Sequence, residues 1–192
     1  MNSQAVEKSG DIKSRDDAFL LLTEYTKNEG LVKHALCVEA VLRWYARRFR
    51  EDEVLWGLTG LLHDFDYEKY PDPAPGGHPY VGCEILRQRA YPEIMIDAIM
   101  GHAVYTGTPR ESLLSKTLFA CDELAGLITA AVLVRPDRSL FTLTAQSVRK
   151  KMKDKAFARA VNREDIVQGS AELGIELNEH IGNCIEGMRE AA

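Results

Sequence analysis

A chain of 192 residues with 45% hydrophobic and 28% charged residues is long enough to bury a sizeable core and has the composition of an ordinary globular protein. Its formal net charge of −5 argues against general nucleic-acid binding, which needs a basic face to neutralise phosphates. No stretch supplies the roughly 18 uncharged apolar residues of a membrane span, and the opening "MNSQAVEKSGDIKSRDD" lacks the apolar run of a secretory signal, so a cytoplasmic protein without a membrane partner is expected.

The recurring period along the chain is helical. Ser14 and Asp17 form a capping pair for a first helix, with Gly30 read as its stop. Leu31, Ala35, Val38, Leu42, Tyr45 and Phe49 then draw one apolar stripe, opposite Arg43, Arg47, Arg48 and Arg50. From Val54 to Phe65 the chain is apolar almost all round, which predicts a central, buried helix. The stretch "YPDPAPGG", Tyr70 to Gly77, is a loop, because its three prolines and two glycines suit neither helix nor central strand. Pro79 suits the first position of the next helix, leaving His78 at its boundary, and Pro92 starts another that carries Met95, Ile99 and His102 on one face. A longer helix follows with Leu114, Leu118, Cys121, Ala125, Ile128 and Val132, and "RPDRS" breaks it. Three shorter helices are predicted at about 144–159, 163–173 and 177–189, with Asn162 as a cap and Gly174 as a stop. No segment alternates long enough to make a strand, so the expected class is an all-α bundle without repeats.

Cys37, Cys83, Cys121 and Cys184 form no CxxC pair, and they are read as reduced, packed thiols rather than a zinc-thiolate site or a disulfide framework. The histidines are more informative. Of five, His34, His63, His78 and His102 fall where the helix reading turns them toward a shared interior, together with Asp64 and Asp122. His180 sits beside Glu179 on a predicted surface helix and is left out. Each residue alone is ordinary. Four imidazoles and two carboxylates at apolar positions would leave many buried polar atoms without partners, which metal ions would satisfy together. Imidazole and carboxylate without thiolate suit iron, manganese, cobalt, nickel or zinc. Asp64 has two oxygens and can be shared by two such divalent ions, placed about 3.5–4 Å apart, that activate a hydroxide; the net positive charge of such a centre favours an anionic phosphate ester.

The order His34, His63-Asp64, His78, His102, Asp122 resembles the HD-domain superfamily of metal-dependent phosphohydrolases, in particular its HDIG-type members that hold two metals. The resemblance covers about residues 30–135 and implies an HD-type helical bundle, with the C-terminal part, about 140–192, as a helical extension of one domain spanning 1–192. It assigns His34, His63, Asp64 and Asp122 to one metal and His78 and His102 to the other, with Asp64 bridging and catalytically central. The implied activity is hydrolysis of a phosphorylated small molecule or nucleotide. The alternatives are a di-iron oxygenase resembling myo-inositol oxygenase, which shares the ligand set, and a non-catalytic nucleotide-sensing domain. A homodimer is compatible with either.

The chain departs from the family pattern directly after the dyad, where "FDY" stands in place of "IGK" or "YAK". Lys69, Lys33 and Arg110 are the candidates for substrate contact on position, each with a solvated-surface role as its alternative. Asp66 is either a partner of a ligating imidazole or a helix-end residue facing water. The basic run "SVRKKMKDKAFAR", Ser147 to Arg159, is read as an outer helix face that would meet phosphates only if it crossed the cleft.

Overall fold

The computed structural model describes residues 13–191, and among them it contains nine α-helices, one 3₁₀ turn and no strand. The all-α expectation therefore holds. The opening residues, 1–12, lie outside the described part, including most of the stretch read for a signal.

Helix α1 (Arg15–Tyr25) starts as expected: the Asp17 amide donates to Ser14 Oγ at 3.1 Å, and that hydroxyl donates to the Asp17 carboxylate at 2.6 Å. Gly30 is not its stop. The helix ends at Tyr25, and Asn28 caps α2 (Glu29–Phe49) by accepting from the amides of Gly30 and Leu31, so Gly30 lies in the first turn of α2. An asparagine that satisfies two otherwise unpaired amides outweighs the glycine's tendency to end a helix. The α2 stripe buries Ala35, Val38, Leu42 and Tyr45. Its basic face is paired, Arg43 and Arg47 with Glu53, and Arg48 with Glu179.

Helix α3 (Glu53–Leu62) is the buried one, but it ends three residues before Phe65. The Gly60 carbonyl accepts from the His63 ring, and the chain tightens into successive turns in which Tyr67 N donates to Asp64 O and Lys69 N to Asp66 O. The Pro/Gly loop closes on itself, with His78 N donating to Tyr70 O at 2.6 Å, so its two ends meet. Helices α4 (Tyr80–Gln88) and α5 (Glu93–His102) follow, then the 3₁₀ turn Val104–Thr106 and α6 (Leu113–Leu133).

The largest difference is in α7 (Ala145–Met152), half the length expected from the 144–159 run. Asp154 accepts from the amides of Ala156 and Phe157, an Asx turn that competes with the helix. Arg163 then donates to the carbonyls of Phe157, Ala158 and Val161. Two of the run's basic residues, Lys150 and Lys151, line a cavity with Ser147 and Asp154 that no histidine lines, and Lys151 rests on Phe157. Helices α8 (Arg163–Leu173) and α9 (Leu177–Arg189) have the predicted bounds, with Asn162 capping and Gly174 stopping α8 in the left-handed region at φ 67°.

Helices α2 and α6 are the central pair. Helices α3 and α9 pack on α2, and α5 and α8 pack on α6. One hydrophobic cluster runs through all of them, from Ala18 in α1 to Met188 in α9. His180 belongs to this interior, which corrects the surface reading. It is fully buried, its Nδ1 meets the Tyr45 hydroxyl at 2.7 Å, and its Nε2 meets the Ala120 carbonyl at 2.9 Å. Because both ring nitrogens are bonded, a polar side chain can sit on the apolar face of α9 at little cost. Cys121 and Cys184, distant in sequence, lie beside this ring. Among the described residues, no helix is long and apolar enough to cross a membrane.

Candidate metal centre

Two contacts set the floor of the site. Where α3 crosses α2, Gly60 lies so close to the α2 backbone that a Cβ there would fall 2.9 Å from Glu39 Cα and Val38 C. This approach brings the end of α3, and with it His63 and Asp64, against His34 on α2. From the other side α6 presents Asp122, whose Oδ1 lies 2.9 Å from His34 Nε2. The closed loop returns His78, and α5 ends at His102.

The six side chains then form two groups with one member in common. His34, His63, Asp64 and Asp122 can each offer an atom within 4.8 Å of the others, and Asp64, His78 and His102 do the same. The two Asp64 oxygens face different partners: Oδ2 lies 3.5 Å from His63 Nε2, while Oδ1 lies 3.2 Å from His78 Nε2 and 3.3 Å from His102 Nε2.

Three of the rings are oriented from behind. His63 Nδ1 donates to the Gly60 carbonyl at 2.8 Å and His102 Nδ1 to the Ile99 carbonyl. Nδ1 of His78 bonds Asp66 Oδ1 at 2.7 Å. In each ring Nε2 is left to face the cluster. Asp66 is 1% exposed, so it faces the protein interior, and its second oxygen accepts the Gly82 amide at 2.7 Å. Only glycine fits at position 82, since a Cβ would fall 2.6 Å from Asp66 Cγ.

The arrangement has the donors and the charge to hold a cation. His63 Nε2 is buried and has no hydrogen-bond partner; at 3.4 Å from Asp122 and 3.5 Å from Asp64 it feels their charge without a bond. Burial pushes both carboxyls up, but the charge of His63 and the hydrogen bond from His102 hold Asp64 below its ordinary range. The hydrogen bond from His34 and the charge of His63 do the same for Asp122. Burial works against a charged His102, yet its bond to Asp64 raises it to about 9. Without a metal, the carboxylates draw protons onto the imidazoles. The donor set of imidazole nitrogen and carboxylate oxygen suits a divalent transition metal in the protons' place.

The side chains of His34, Asp64 and Asp122 are each about a fifth exposed, which makes their edge the open one. Tyr67 packs edge-on against the His78 ring, and Tyr105 donates to the His78 carbonyl at 2.9 Å; both are partly exposed at the rim. Sequence reasoning did not single out either tyrosine, since nothing in their spacing separates them from surface aromatics. Glu123, next to Asp122, is raised to about 7 by burial and then by that neighbour's charge.

The three positional candidates for substrate contact lie in different places. Arg110 pairs through Nε and Nη2 with Glu172, donates through Nη1 to the Gly101 carbonyl and stacks on Phe119 at 3.7 Å. Its donors are engaged in tying the end of α5 to α8. Lys69 rests its ammonium on the Tyr25 ring at 4.0 Å. Lys33 is exposed on α2, beside His34.

The support given by Asp66 can be measured. Asp66→Asn can accept through one oxygen only and carries no charge, so divalent-metal affinity is expected to fall by about tenfold to a hundredfold in a chelator-competition titration. Unchanged affinity would mean that His78 does not depend on Asp66.

Neither the comparison with curated proteins nor that with solved structures finds a match. A family model, the HD domain, matches residues 31–127. HD domains bind divalent metals, most are metal-dependent hydrolases, and the His/Asp groups described above fall within or at the turns of the matched helices. On a match that covers half of its length, the chain belongs to the HD-domain family.

Proposed function

We propose that the protein is a metal-dependent phosphohydrolase that acts on a phosphorylated small molecule or nucleotide. The observation that carries this reading is the sharing of Asp64 between two ligand groups, with the orphaned Nε2 of His63 aimed between the carboxylates. His34, His63, Asp64 and Asp122 would hold one divalent ion, and His78 and His102 with Asp64 the second. Bound there, the ions would supply Lewis-acid activation of water and neutralise a phosphate.

The chain's own groups do the rest. The Gly60 and Ile99 carbonyls and Asp66 keep the three rings in one tautomer, so no reorganisation is needed as charge builds on the phosphate. The open edge at His34 and Asp122 admits an anion, and the tyrosines at the rim narrow it.

Protein reconstituted with manganese is expected to hold about two ions per chain and to release phosphate from p-nitrophenyl phosphate or from members of a nucleotide panel. Stripping with a chelator should abolish turnover, and returning the metal should restore it. Metal-replete protein that cleaves no phosphoester but consumes dioxygen with an organic substrate would overturn the hydrolase reading in favour of oxygenase chemistry.

A further inference from the structure

A cavity of about 560 Å³ lies not at the histidines but beside them. It lies on the seam between α2 and α6, walled by Leu36, Ala40, Val132, Phe141 and Met188. That volume falls within the range of small-molecule pockets. In its lining, Thr129 Oγ1 donates to Cys37 Sγ at 4.0 Å. Cys37 follows His34 by three residues and Thr129 follows Asp122 by seven, so along the same seam the Cys37–Thr129 contact succeeds the His34–Asp122 contact. Helical rise puts the two layers about 5–10 Å apart.

The far wall is fastened. Arg189 donates to the carbonyls of Leu140, Phe141 and Leu143, and Arg135 to the Asp137 carboxylate and Thr142. Three charged side chains line the space: Lys33, Asp137 and Arg138. The Asp137 charge is met by Arg135, whereas Lys33 and Arg138 form no ion pair among the described residues. The cavity is thus mostly apolar in its lining with two unpaired cations among it, and one of them, Lys33, is the residue next to His34 on α2.

From this continuity and charge we propose that the cavity is a substrate subsite that receives the apolar body of an amphiphilic phosphate monoester, whose anionic end passes Lys33 to the His34–Asp122 edge. The proposal rests on the phosphohydrolase reading for its direction, but binding can be tested without turnover.

The probes are ethyl, butyl, hexyl and octyl phosphonates, which the enzyme does not hydrolyse, titrated calorimetrically into the metal-loaded full chain. Affinity should rise roughly fourfold per methylene, as expected for burial of each CH₂. Ala40→Leu, which grows into the cavity, should flatten that slope, and Lys33→Gln should weaken every member several-fold while keeping it. Cys37 is the only cysteine not fully buried, so octyl phosphonate should slow its alkylation at least tenfold and ethyl phosphonate should not. If Ala40→Leu does not melt like the parent, Thr129→Leu replaces it.

A flat chain-length series with Cys37 unprotected overturns the subsite even if phosphoesters are hydrolysed. A steep series with Cys37 protected, in a protein that hydrolyses no phosphoester, keeps the subsite and rejects the hydrolase reading. A concentration-dependent dimer that shields Cys37 without ligand would assign the cavity to a second copy and overturn the proposal.

Discussion

Asp64→Asn is expected to reduce phosphate release by about a thousandfold or more while leaving the protein folded. The side chain is partly exposed, so the isosteric amide is tolerated in volume. What it loses is charge and the ability to face two ways. One oxygen now faces His63, and the other faces both His78 and His102; after substitution one of those directions meets an NH₂ group, which cannot coordinate. Metal content should fall to about one ion per chain or less. Asp122→Asn is the informative comparison, because Asp122 belongs only to the group with His34 and His63. It should spare the ion held by Asp64, His78 and His102. Equal metal loss in the two variants, measured by elemental analysis after dialysis, would show that Asp64 is not shared.

Gly60→Ala is expected to lower stability and weaken the site together. In an open helix position, alanine gains about 1 kcal/mol over glycine. Here the added Cβ meets the backbone of Glu39 and Val38 at 2.9 Å, and backbone does not swing aside as a side chain can. Overpacking of this kind costs about 3 kcal/mol, so the clash prevails and a net loss of about 2 kcal/mol follows. For a chain of this size that is a fall in Tm of about 6 °C. Because α3 is pushed from α2, His63 moves relative to His34, and metal affinity should drop as well. Gly182→Ala in α9, where the Cβ meets nothing within 4 Å, should raise Tm instead. If both substitutions raise it, the α2–α3 contact is looser than described.

The elements that were legible in the sequence share one property: their signals are local. The α2 stripe, the Asn162 cap, the Gly174 stop and the Pro-rich loop are each written within a few residues, and each appears where expected. The histidines and aspartates could be selected because polar groups that need partners stood at otherwise apolar helix ends. What stayed hidden depends on residues far apart in the chain. Arg163 taking the carbonyls of 157–161 ends the basic run early, and Tyr45 with Ala120 makes the interior acceptable to His180. Glu172 engages Arg110, which position alone had offered to a substrate. The role of Asp66 lay between these cases: support of a ligating imidazole was one of its two readings, but its contact with His78 exists only once the loop has closed.

The family match ends at residue 127, and α6 does not. Leu127 and Ile128, on either side of that edge, are both fully buried. A fragment trimmed there would sever α6 before its last turns and take away Arg189, which fastens the 140–143 loop, and Glu172, which anchors Arg110. It would also strip α9 from α2, leaving the Tyr45 hydroxyl without His180 and Asn183. The unit that recurs among relatives and the unit that resists unfolding therefore have different edges. Anyone seeking a minimal version of this protein, for crystallisation or for grafting its histidine cluster elsewhere, has to carry the chain on to Arg189.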